Sequence, residues 1–208
     1  MAQPTAGRRR PAANSFGVNG EREWEILSSE YVLESPWYTL RRDVCRLPDG
    51  TIVDPYYVRE HAGFAIVFAI TADHMVVFNR QYKHGIGERV LELPAGSLEP
   101  GETPETCARR ELEEETGYTA PAFERAASFI LDPTSSTGRI HVFVARDATP
   151  GGVPAREITE AIELELVGLD RVIDAVRGGH VSVQSHVAAI YAVLDRLGMI
   201  EMRAPRSI

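Results

Sequence analysis

Apolar positions along the chain fall into two periods. "GFAIVFAI", residues 63–70, is a nearly unbroken apolar run and predicts a strand buried on both faces. The turn "TADH" follows, then "MVVFNRQY" (75–82) as the next strand and "RVLELPAG" (89–96) as a short strand ending in Pro and Gly. Upstream, "WEILSSEYVLES" (24–35) and "WYTLRRDVCRL" (37–47) are rich in aromatic and branched residues. Asp49-Gly50 marks a hairpin turn and "IVDPYYVRE" (52–60) returns, so residues 24–60 predict an antiparallel meander.

The period changes at residue 103. Thr103 is placed to cap a helix over 103–116, Pro104 occupies its favoured first position, and Gly117 stands where a helix-ending glycine belongs. "FERAASFIL" (123–131) and "RIHVFVAR" (139–146) read as strands joined by the polar loop "DPTSSTG". "TPGGVPARE" (149–157) reads as a loop. "IELELVGL" (162–169) alternates as a strand, with Glu163 and Glu165 facing water opposite Leu164 and Leu166. "LDRVIDAVRGG" (169–179) and "VQSHVAAIYAVLDRLG" (183–198) predict amphipathic helices. The expected class is α/β with a mixed sheet, preceded by an antiparallel β segment. The expected divisions are an arm over 1–20, the β segment over 21–60, the main domain over 61–200 and a tail over 201–208.

Composition narrows the partners. At 208 residues the chain can bury a core without staples, and 44% hydrophobic and 25% charged residues are ordinary for a globular protein. A net charge of −8 argues against nucleic acid and anionic membrane, but leaves a local site for a small phosphorylated ligand. The arginine triplet in "MAQPTAGRRRPAANSFG" has no apolar run behind it, so no secretory signal is expected. Cys45 and Cys107 share no motif, and reduced thiols in a cytoplasmic setting are expected.

"RRELEEETGY", residues 109–118, packs four glutamates into Glu111–Glu115. At about 100° per residue, Glu115 lies about 40° and Glu114 about 60° from Glu111, while Glu113 points away. Three carboxylates on one face repel unless a counter-charge sits among them. A solvated helix face is one reading. A hard divalent cation, Mg²⁺ or Mn²⁺, is the other, and with no His or Cys cluster alongside, zinc fits poorly.

"GSLEPGETPETCARRELEEETGY" (96–118) resembles the signature of the Nudix hydrolases at every constrained position: Gly96, Glu102, Arg110, Glu111, Leu112, Glu114, Glu115, Gly117 and Tyr118. "FNRQYKHG", "LELPAG" and the β-rich segment before them resemble the branch that cleaves ADP-ribose and nucleoside diphosphate sugars, over roughly 23–197. The resemblance implies an α/β/α sandwich, divalent-metal catalysis and pyrophosphate hydrolysis. It implies Glu111, Glu114, Glu115 and the carbonyl of Ala95 as metal ligands, a Glu102–Arg110 salt bridge supporting the loop beside Gly96, and a homodimer formed through the β segment. It also implies a general base on a later loop, for which Glu160 is first choice and Glu157 second.

Arg80 at a strand end and Arg139 at a loop-to-strand junction are candidate phosphate contacts. "LDPTSSTGR" departs from the branch, which carries a Ser-Pro-Gly type loop followed by an acid. The hydroxyls of Thr134, Ser135 and Ser136 are therefore read as shaping a turn. His84 and His141 are read as packing or surface residues, Trp24 and Trp37 as dimer or core packing, and Cys107 as a small buried hydrophobe. Other substrates of the family (a dinucleotide, a nucleoside triphosphate or coenzyme A) and a non-catalytic nucleotide sensor are the alternatives.

Overall fold

The structure is a computed structural model that describes residues 23–35, 37–155 and 161–200. Three strands, β1 (Glu25–Glu34), β2 (Thr39–Arg46) and β3 (Ile52–Glu60), form an antiparallel sheet in the order β1-β2-β3. Asp43 is its buried polar centre, gripped by Arg41 at 2.8 and 2.9 Å and by the Ser29 hydroxyl at 2.6 Å. β1 is exposed along its whole length, and Trp24, Ile26, Leu27, Tyr31, Val32 and Leu33 all reach solvent.

The remaining strands build a second, mixed sheet: β4 (Phe64–Thr71), β5 (Met75–Lys83), β6 (Glu88–Glu92), β7 (Ala95–Ser97), β8 (Tyr118–Thr119), β9 (Ala122–Ile130), β10 (Arg139–Pro150) and β11 (Glu163–Gly168). β4 pairs in parallel with β10. Its alternation splits the core in two. Ile66, Phe68 and Ile70 face one helical layer, and Ala65, Val67 and Ala69 face the other.

On the first side lie α2 (Val172–Arg177) and α3 (Gln184–Arg196), the latter burying Ala189, Ile190, Val193 and Leu194. On the second lies α1 (Pro104–Thr116), burying Cys107, Ala108 and Leu112. Alanines dominate the sheet surface under α1, and small side chains allow a helix to approach a sheet closely. The α/β/α layering expected from the sequence is therefore present.

β4 and β5 leave their hairpin and part, with Ile70↔Val76 the pair that joins them. β6 and β7 fill the gap. β6 pairs with β5 from Lys83↔Glu88 to Asn79↔Glu92, and β7 pairs with β4 from Ile66↔Ala95 to Phe64↔Ser97. The chain changes partner at Leu93-Pro94, and this corner delivers Ala95 and Gly96 to the underside of α1.

Several expectations need correction. β10 continues through Pro150, where a loop was predicted, because Thr149 and Pro150 pair with β8. The helix predicted at 169–179 is a 3₁₀ turn (Leu169–Arg171) followed by the six residues of α2. β11 does not divide cleanly: Leu164 and Leu166 are 41% and 40% exposed, while Glu165 folds against Arg80. It is an edge strand, paired on one side alone with β5, and of its apolar residues Val167 is the one that packs against the core.

Candidate metal and phosphate site

α1 starts and stops where its sequence dictates. Thr103 Oγ1 accepts the Thr106 N–H at 3.2 Å, and Gly117 ends the helix at φ 73, donating its N–H to the Glu113 carbonyl at 2.7 Å. With the helix phased this way, Glu111 and Glu115 are buried against the sheet, Glu114 sits at the rim and Glu113 points to solvent.

Arg110 is the hub of the acidic face. Its Nε and Nη2 donate to the two carboxylate oxygens of Glu102, each at 3.0 Å, which ties the 98–103 loop to the helix. Its Nη1 donates to Glu111 Oε1 at 2.7 Å and Glu114 Oε2 at 3.0 Å, and its Nη2 also reaches the Ser97 carbonyl at 3.1 Å. These bonds raise the guanidinium pKa further above its ordinary value, Glu102 contributing most, and Arg110 in turn holds the Glu102 carboxyl below the usual range.

Glu115 is held from the sheet side. Its Oε2 accepts from Asn79 Nδ2 at 2.7 Å and from the Ala95 N–H at 2.9 Å. In an antiparallel strand the N–H and C=O of one residue leave on the same edge. The Ala95 carbonyl is thus directed away from β4, as its amide is. A Cβ at Gly96 would stand 1.8 Å from Glu111 Oε1, so a side chain there would displace that carboxylate. Cys107 lies beneath, fully buried, with its thiol directed at the Gly96 carbonyl (3.4 Å) and its pKa pushed up to about 12, chiefly by burial.

Three carboxylates, of Glu102, Glu111 and Glu114, thus meet one guanidinium, and Glu115 stands one turn on from Glu111, held by Asn79 and the Ala95 amide. Asn79 is 2% exposed, and its Oδ1 has no hydrogen-bond partner. A buried acceptor without a donor is costly. Beside an acidic cluster it fits the ordered water of a hydrated cation. The all-oxygen donor set suits a hard divalent ion. Among the described residues no three acidic, imidazole or thiol groups already close around a common point. Glu111 and Glu114 lean on Arg110, and ligation would draw them off it.

Other sequence candidates fall elsewhere. Arg80 follows Asn79 and so leaves the opposite face of β5, where its Nη2 meets Glu165 Oε2 at 2.8 Å. Its expected role as a free phosphate clamp is not what the strand phase favours. Arg139 is exposed at the head of β10 and has no ion pair among the described residues. Glu157 and Glu160 lie outside the described residues. His84 meets Tyr82 at 3.5 Å, His141 sits against Arg125 and Ser128, and Trp24 packs edge-on to Tyr56 at 5.5 Å. The 132–138 loop closes on Asp132, whose carboxylate accepts the Thr134 N–H at 3.0 Å and the Ser135 hydroxyl.

Three groups had no reading in the sequence. Asn79 and Glu92 are polar residues inside apolar strands, and that interruption of "MVVF" and "VLEL" is the signal that could have found them. The third is Arg59, which lines a cavity of about 440 Å³ with Tyr38, Leu40, Tyr57, Leu131 and Asp132. Its guanidinium stacks 4.8 Å from the Tyr38 ring centre, and its Nε is buried without an acceptor.

Comparison with known proteins places this geometry. A family model described as the NUDIX domain matches residues 59–187, and one described as the nucleoside diphosphate sugar hydrolase N-terminal domain matches 24–58. A methanol dehydrogenase activator of Bacillus methanolicus is 34% identical over 148 residues, 69% of this chain and 80% of that protein. An ADP-ribose pyrophosphatase of Mycobacterium tuberculosis is 34% identical over 142 residues, 68% of each chain. A crystal structure of an ADP compounds hydrolase superposes with a TM-score of 0.76 at 21% identity, over 88% of this chain and all of that one, which supports the fold. With its acidic helix framed by the Gly96 loop and the family model spanning most of the described chain, this protein belongs to the NUDIX family of hydrolases.

Proposed function

We propose that the protein hydrolyses the pyrophosphate bond of ADP-ribose or a related nucleoside diphosphate sugar, releasing a nucleoside monophosphate and a sugar phosphate. The observation that carries this is the ring of carboxylates around Arg110, with the unpartnered Asn79 Oδ1 beside it. Its setting adds support: the N-terminal segment matches a nucleoside diphosphate sugar hydrolase model, and the mycobacterial relative is named for ADP-ribose.

Glu111, Glu114, Glu115 and the Ala95 carbonyl are the residues we assign to the cation, with Mg²⁺ as the ion and Mn²⁺ as its substitute. A divalent ion there would neutralise the diphosphate oxygens and acidify a water. Asn79 and the Ala95 amide hold Glu115 in place, and Gly96 gives Glu111 its room. Arg110 and Glu102 brace the loop. Glu160 is our choice for the base that takes the proton from the attacking water, with Glu157 next. Arg139 is open to a substrate phosphate, whereas Arg80 would first have to leave Glu165. The cavity at Arg59 offers a cation, two tyrosine rings and polar groups to the sugar or nucleoside end.

The exposed apolar residues of β1 form a surface that a second copy of the chain would cover, and we propose a homodimer through it. We set the N-terminal segment at residues 21–60 and the catalytic domain at 61–200; the arm over 1–20 and the tail over 201–208 fall within the residues not described. Both cysteines are free and buried, in keeping with a reducing, cytoplasmic setting. Among the described residues no helix is long and apolar enough to cross a membrane.

A substrate panel with Mg²⁺ tests the reading. Release of AMP from ADP-ribose supports it. Activity confined to nucleoside triphosphates or coenzyme A moves the substrate to another class, and tight nucleotide binding without turnover makes the protein a sensor. Light scattering at micromolar concentration tests the dimer; a monomer rejects it.

A further inference from the structure

A buried histidine meets the Leu93-Pro94 corner from the α3 side. His186, in the first turn of α3, is 5% exposed. Its Nδ1 accepts the Leu93 N–H at 3.1 Å. The β5–β6 ladder ends one residue earlier, at Asn79↔Glu92, so this amide lies beyond the last strand pair. Pro94 has no N–H, and its carbonyl goes to the Val67 N–H at 2.9 Å. The corner is therefore fixed from β4 at Pro94 and from α3 at Leu93.

An imidazole that accepts at Nδ1 carries its proton on Nε2. Nε2 lies 3.5 Å from Glu92 Oε1, and Glu92 Oε2 meets Lys83 Nζ at 2.7 Å. Lys83 also donates to Gln81 Oε1 at 2.6 Å. Glu92 and Gln81 are buried as well. The group thus links α3, β6 and β5. Burial also keeps the imidazole neutral, its pKa lowered to about 3, with Lys83 adding to the shift.

We infer that His186 is a positioning residue for the metal site: it anchors the Leu93-Pro94 corner from α3, and through that corner sets where the Ala95 backbone and the Glu115 carboxylate bonded to it stand. The inference rests on the proposed metal reading. His186 is not among the groups assigned to the cation; its ring meets the Leu93 amide and Glu92. It acts two residues along the strand from Ala95, whose N–H holds Glu115 at 2.9 Å.

Three proteins decide it: wild type, His186→Leu and His186→Asn. Leucine keeps bulk but accepts nothing, whereas the asparagine Oδ1 can stand near the position of Nδ1. Mn²⁺ is titrated into each substrate-free protein and followed by electron paramagnetic resonance. His186→Leu should weaken Mn²⁺ binding about 10-fold or more, as loss of groups that orient ligands does. At saturating metal it should lower kcat while leaving KM for ADP-ribose within about two-fold, and His186→Asn should recover most of the metal affinity. ¹⁵N spectra of the wild-type imidazole should show the Nε2–H tautomer. Unchanged Mn²⁺ affinity in His186→Leu overturns the inference alone. So does an asparagine variant as impaired as the leucine one, which would reduce the role to packing, or an Nδ1–H tautomer in the spectrum. If His186→Leu fails to fold, the asparagine variant and the spectrum still decide. A wild type that binds no Mn²⁺ overturns the metal reading, and this inference with it.

Discussion

Gly96 and Glu111 occupy the same space up to a hydrogen atom: a methyl group on the Gly96 Cα would stand 1.8 Å from the Glu111 Oε1 and 2.0 Å from its Cδ. The strand that carries the Ala95 carbonyl and the helix that carries the carboxylates can meet this closely because one of them has no side chain. Gly96 is needed for approach rather than for an unusual backbone angle.

Replacing Gly96 with alanine should therefore push a buried carboxylate out of place while the rest of the fold persists. The expected result is a half-saturating Mg²⁺ concentration raised about 10-fold or more, with a far-ultraviolet dichroism spectrum like the wild type. A Mg²⁺ titration of activity at fixed ADP-ribose measures it, and an unchanged midpoint would mean that Glu111 is not a ligand.

Glu114→Gln and Glu115→Gln remove charge and keep shape. Each should lower kcat by more than about 100-fold, since loss of groups that merely orient ligands already costs 10- to 100-fold. Glu115→Gln should be the more disruptive to stability, because its carboxylate is buried and accepts two hydrogen bonds at one oxygen. Wild-type rates in both variants would remove the metal assignment.

Arg110→Met leaves the carboxylates of Glu102, Glu111 and Glu114 without their shared cation. The site is partly open to water, so the expected loss is about 2 kcal/mol rather than the larger cost of a sealed ion pair. A divalent ion would replace part of the missing charge. Thermal melts with and without Mg²⁺ should show a larger metal-induced rise in Tm for Arg110→Met than for wild type. An equal rise would separate Arg110 from the cation site.

His186 makes stability depend on pH with a definite sign. Its folded pKa, about 3, lies below the ordinary 6.5, so the unfolded chain takes up the proton first on acidification. Stability tied to the neutral ring is fully present above about pH 6.5 and declines as pH falls toward 3, at up to about 1.4 kcal/mol per pH unit. Between pH 6.5 and 5, before most carboxylates titrate, wild type should lose roughly 2 kcal/mol more than His186→Asn. Urea midpoints across that window measure the difference, and parallel curves would refute it.

The amino-acid sequence on its own determined what depends on near neighbours. The capped helix at 104–116 needs only Thr103, Pro104 and Gly117, whose preferences act within a few residues. The order of the three acidic residues around one helix face follows from 3.6 residues per turn. The doubly buried β4 is legible because apolar residues fill both of its faces. Tertiary structure alone decided what depends on distant partners. The short α2 and the mixed burial of β11 follow from what packs against them, which no local period encodes. Arg80 is as plausible a phosphate contact as any arginine until the strand phase sets it against Glu165, 85 positions away. Asn79 is an interruption in an apolar run until Glu115, 36 positions on, is laid over it, and His186 is a lone helix histidine until Leu93 offers its amide from 93 positions earlier. A hydrogen bond forms only over about 3 Å, and chain separation says nothing about which groups folding will bring that near.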